Sequence, residues 1–173
     1  MTDIEVVLHA APRFQGFDDS DSYIFKNMTA RKFSMDAGLG LSYEKKDWKL
    51  GVSTMFDVLN KSNGYEAKIN VSRVFRTGPL FFEPSFSLSY LDSNHVDYYY
   101  GVKANEINEF TYQYDGKSAL NSTVSLSLAT PIFLGGFTRI VLDYTWYDSA
   151  ITDSPLVDNT TNIGARFLFS KFF

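Results

Sequence analysis

Cysteine is absent from the 173 residues, which excludes a disulfide framework, thiolate metal sites and thiol nucleophiles. Histidine occurs only at His9 and His95, too few for the clusters that zinc centres need. No apolar run approaches the ~18 residues of a membrane-spanning helix. Bases are outnumbered, 16 against 20 acids, for a net charge of −4. No basic stripe suggests a nucleic-acid partner. Gly-rich phosphate loops, P-loops and zinc motifs are missing, and no cofactor is expected. Met1 to Phe14 shows no basic, then apolar, then small-residue order of a secretory leader. An exported protein requires one, so the expectation is a processed chain or a piece of a longer precursor.

What is present is aromatic and alternating. Phe (16) and Tyr (11) help bring aromatics to 17% of residues, and such side chains favour strands. Eight segments alternate apolar with polar: Ile4 to Phe14, Phe33 to Tyr43, Trp48 to Val58, Tyr65 to Phe75, Leu80 to Tyr90, Leu120 to Leu128, Phe137 to Tyr147 and Thr161 to Phe173. Period two is the signature of strands with two unlike faces. Pro84 cannot donate to a ladder, so a bulge is expected there. Asn63-Gly64 is a hairpin signal. Residues 15–31, 92–118 and 148–160 read as long loops, and no helical periodicity stands out. Segments of about ten residues suit a tilted strand crossing a bilayer. Short turns alternating with longer loops predict one domain over residues 1–173. Its fold class is all-β, an antiparallel up-and-down transmembrane β-barrel, or the C-terminal part of a larger one, with both termini on the periplasmic, short-turn rim.

Period two does not say which face points outward, and a soluble lipocalin-like barrel is the alternative. Two features favour lipid outside. The polar face is mostly Ser, Gly, Asn and Thr, small enough for a narrow lumen. Aromatics gather near strand ends, with Tyr43, Trp48, Phe75, Phe82, Phe137 and Phe173 towards the short-turn rim. Phe14, Phe33, Phe56, Tyr65, Tyr90 and Trp146 fall towards the long loops, as two interfacial girdles would. The inner face then carries His9, Arg13, Asp36, Asp57, Glu66, Lys68, Arg139, Asp143 and Arg166. Buried charges persist when paired, so a lumen charge network is expected, and eight strands leave no room for a general diffusion pore.

Ser93, His95 and Asp97 are the residues a membrane-embedded lipid hydrolase could recruit. Placed on a loop they lack rigid support, and no catalytic residue is assigned. Tyr98, Tyr99, Tyr100, Tyr112 and Tyr114 concentrate aromatics where solvent is expected, either as a recognition surface or as packing on the rim.

The terminal Asn162-x-Gly164-x-x-Phe167-x-Phe169, running on to Phe173, resembles the β-signal read by the barrel-assembly machinery. Ala11-Pro12-Arg13-Phe14-x-Gly16, Asp97-Tyr98-Tyr99-Tyr100-Gly101-Val102, Ser154-Pro155-Leu156-Val157 and the aromatic terminal strand together resemble the MipA/OmpV family of Gram-negative outer-membrane proteins. That resemblance implies a non-enzymatic scaffold or adhesin in contact with outer-membrane lipid. It also implies partners of the kind a murein transglycosylase and a peptidoglycan synthase provide. Members of that family are usually longer, with a signal peptide and further strands.

Overall fold

The computed structural model describes residues 2–131 and 136–171. The strands are β1 (Thr2–Arg13), β2 (Ser34–Lys45), β3 (Trp48–Asp57), β4 (Tyr65–Arg73), β5 (Phe75–Thr77), β6 (Leu80–Leu91), β7 (Ala119–Thr130), β8 (Phe137–Trp146) and β9 (Thr161–Ser170). Two short helices, α1 (Ser93–Tyr100) and α2 (Ser149–Thr152), lie in the long connections. All strands join one antiparallel meander in the order β1-β2-β3-β4-β6-β7-β8-β9, with β5 on β6. Among the described residues no ladder joins β1 to β9. The sheet therefore curls as a half-barrel, open between these two edges.

Turn chemistry fixes the register. Lys45 pairs with Trp48 across Lys46-Asp47, and Lys46 takes φ 56°. Thr77 pairs with Leu80 across Gly78-Pro79, with Gly78 at φ 58°. Positive φ at the first central residue matches the twist of a two-residue hairpin. Asn63-Gly64 works differently. The β3–β4 connection winds around the Asp57 carboxylate, which accepts backbone N–H bonds from Leu59, Lys61, Ser62 and Asn63. Gly64 is required by close approach, since a Cβ there would lie 2.7 Å from Asp92 Oδ1 and from His95 N.

Pro84 produces no bulge. Its pairing with Leu126 keeps the register of the whole β6–β7 ladder. The missing donor acts on the other side, where pairing stops at Ser72↔Ser85 and resumes at Phe75↔Phe82. That gap separates β4 from β5, and Val74 N donates instead to Asp47 O at 2.8 Å.

The two faces of the sheet invert the burial of a soluble protein. Outward side chains stand in the open, Leu8 at 83%, Val6 at 71% and Phe167 at 62% exposed. Ser34, Asp36, Ser72, Ser87 and Ser127 on the concave face are buried. Folding water-soluble sheets do the reverse, because apolar area is what water expels. A wall apolar outside and polar inside suits a bilayer. Most girdle aromatics lie on that outer face, but Phe137 does not. It shares parity with Arg139 and lines an inward pocket with Phe81 and Ala129. Phe173 lies outside the described residues.

Candidate functional site: a charged concave face under a fastened cap

The charged residues of the concave face form separate clusters. Towards the long loops, Arg13 bonds Asp36 and, at 3.0 Å, Glu66. Beside it Ser34 donates to Asp57. Towards the short turns, Arg139 reaches Glu83 at 3.4 Å and Ser127 at 2.7 Å, with Lys49 3.9 Å from the same Glu83. Arg166 bonds Asp143 at 2.9 Å across the β8–β9 pair. His9 and Lys68 belong to none of these clusters. Gly40 leaves space for the His9 ring, since a Cβ there would meet Nε2 at 2.6 Å. Lys68 lines, with Asn70, Ser85 and Ser87, an open polar groove of about 630 Å³.

The connection 92–118 is not one irregular loop. Asp92 caps α1 by accepting from His95 N, as a short carboxylate at an N-cap does. Two turns are too few to register as helical periodicity. Around α1, three connections fasten to one another. Arg31, between β1 and β2, forms a buried ion pair with Glu106, between β6 and β7, at 2.8 Å and 3.0 Å. The same guanidinium donates to the carbonyls of Thr29, Tyr98 and Gly101. Burial pushes the Glu106 carboxyl up, but Arg31 and the Lys103 and Thr29 N–H groups outweigh it and hold it at about 2. Asn108 donates to Ile24 O and Lys26 O. Because these connections belong to strands far apart in the sheet, the cap bridges the concave side.

The tyrosines divide. Tyr99 is buried, and Tyr98 accepts from Lys32 N at 2.9 Å. Burial and the nearby Tyr147 push the half-buried Tyr100 hydroxyl up to about 12. Tyr112 and Tyr114 donate to the carbonyls of Asp153 and Ala150 at α2. Only Tyr112, 57% exposed, offers a large free surface. Ser93, His95 and Asp97 do not converge. Ser93 is exposed, His95 is buried on another side of α1, and Asp97 holds Gly116 N at 2.9 Å. Residues two apart on a helix diverge. Along β9, Asn162 and Gly164 pair with Thr145 and Asp143 on the concave face. Phe167 and Phe169 pair with Ile140 and Thr138 on the outer one.

The family model described as MltA-interacting protein MipA matches residues 2–173. This chain belongs to the MipA/OmpV family. The putative outer membrane protein YiaT of Escherichia coli (strain K12) is 28% identical over 141 residues, 81% of this chain and 57% of the relative. Outer membrane protein Omp26La of Vibrio anguillarum is 27% identical over 155 residues, 88% of this chain and 60% of the relative. The MltA-interacting protein of Escherichia coli (strain K12) is 25% identical over 159 residues, covering 91% and 64%. The chain thus spans about three-fifths of the length of these relatives. No solved structure matches it. A MipA-family chain with an inverted, curled antiparallel sheet is an outer-membrane β-barrel protein related to the MltA-interacting protein.

Proposed function

We propose that this MipA-family chain is a non-enzymatic outer-membrane scaffold or adhesin whose two rims bind other proteins. The observation that carries the reading is the pre-fastened cap: the Arg31–Glu106 pair and Asn108 hold its loops together, and its Ser93, His95 and Asp97 are dispersed. With both termini and the short turns periplasmic, that rim presents exposed Lys45, Lys46, Arg73 and Arg76. Arg73 lies over Trp48 and Phe75, 5.3 and 4.8 Å from their ring centroids. Glu44 and Asp47 are exposed in the same turn, but the four bases leave these two turns net cationic, and a cationic, aromatic rim suits an acidic surface on a periplasmic partner. The relative named for interaction with MltA makes a murein transglycosylase the first candidate, with a peptidoglycan synthase joining through it. The terminal β9 motif serves the barrel-assembly machinery, and the outer wall takes outer-membrane lipid.

The detergent-folded protein is expected to retain a membrane-bound murein transglycosylase on an affinity surface. Reversal of Lys45, Lys46 and Arg76 to Glu should weaken retention at least tenfold, more so at low salt. No retention by the wild-type protein, or retention unchanged by the reversal, would sink the rim assignment.

A further inference from the structure

We propose that α1 is a plug sealing the long-loop end of the concave face, and that protonation of the His95 imidazole unseats it. One side of α1 is held by apolar packing, with Val96 joined to Leu91, Ala119 and Ile151. His95 and Tyr99, one helical turn apart, lie side by side with ring centroids 5.0 Å apart. Each is only 3% exposed, and among the described residues neither His95 Nε2 nor the Tyr99 hydroxyl has a hydrogen-bond partner.

The charges that act on this pair are those at the ends of β1, β2 and β3. Arg13 and Asp57 act on His95, and Arg13, Asp57 and Asp36 act on Tyr99. These carboxylates already accept hydrogen bonds from other groups. Asp36 and Glu66 are taken by Arg13. Asp57 is taken by Ser34 and by backbone N–H groups of its own loop. On α1 itself, Asp92 Oδ1 accepts from Tyr65 N and His95 N, and Asp97 from Gly116 N. An imidazolium would therefore sit dehydrated near the Arg13 guanidinium, with none of these carboxylates hydrogen-bonded to its Nε2. Moving α1 into water is the relief that leaves the strand ladders intact.

Burial first, and Arg13 second, push His95 down to about 3, against an ordinary value near 6.5. A base whose docked value is depressed holds the docked state fully above about 6.5 and loses it as pH falls towards 3. Glu106, at about 2, stays ionised at pH 4.5, so its pair with Arg31 does not contribute to a change at that pH.

Amide-exchange protection of residues 93–100 in the detergent-folded protein, compared with β6 and β7, tests this. Between pH 7 and pH 4.5, protection of α1 should fall ten- to hundredfold while the strands keep theirs. His95→Gln, which cannot take the proton, should hold α1 protection within threefold over the same range. His95→Phe serves the same purpose if the amide disturbs folding. A flat wild-type profile, an equal fall in the neutral variants, or joint loss of helix and strand protection would overturn the proposal.

Discussion

Arg31→Ala is expected to cost about 3–5 kcal/mol, because it leaves the Glu106 carboxylate buried without its cation. Glu106 is wholly buried and the Arg31 side chain nearly so, so solvent cannot screen the loss. Glu106→Ala should cost a similar amount by stranding the guanidinium. A double change, Arg31→Met with Glu106→Leu, should cost less than either single change, since it removes both charges and fills the space. The effect belongs to the cap and not to the sheet. Limited proteolysis should therefore cut within residues 97–116 of the single variants while the strand region stays resistant. Equal resistance of all three variants would contradict a cap held by this pair.

The second large effect concerns the wall. Leu126 lies near the middle of β7, points outward and is partly exposed, whereas Ser125 beside it lines the concave groove. Leu126→Arg puts a cation at bilayer depth and should destabilise the folded protein by about 2–4 kcal/mol. Ser125→Arg places the same charge in an open polar groove that holds Glu83 and Asp143 as well as Lys68, Arg139 and Arg166, away from lipid, and should cost under about half of that. Equilibrium unfolding by urea in lipid vesicles reads both. Equal costs for the two positions would mean that the faces are not divided between lipid and lumen.

Parity made the wall readable from the sequence. Along β7, Thr123, Ser125 and Ser127 against Val124, Leu126 and Leu128 assigns each side chain to a face, and tight turns then set which residues pair. Asp143 and Arg166 on adjacent strands become partners once that register is known. Phe137 shows where another criterion misled: proximity to a strand end suggested the outer girdle, while its parity with Arg139 places it inside. The cap was less legible. Arg31 and Glu106 are 75 residues apart in loops without period, and nothing local marks them as buried. For α1 a usable signal existed, Asp92 three residues before His95, but two turns of helix among tyrosines give no amphipathic stripe. Pro84 interrupts the pairing on its β4 side without making the expected bulge. Which neighbour loses the bond depends on the side to which its N–H would have pointed, and period two is silent on that.

The absence of cysteine makes the central claim directly measurable, because a single introduced thiol is a unique probe. A cysteine placed in turn at residues 123 to 128 and labelled with a fluorophore, in protein folded into vesicles, reports what each side chain meets. Lipid-dissolved quenchers should act on 124, 126 and 128, and water-soluble quenchers on 123, 125 and 127. Quenching of the opposite parity by lipid, or no alternation along the strand, would contradict an outer-membrane wall with its apolar face in the bilayer.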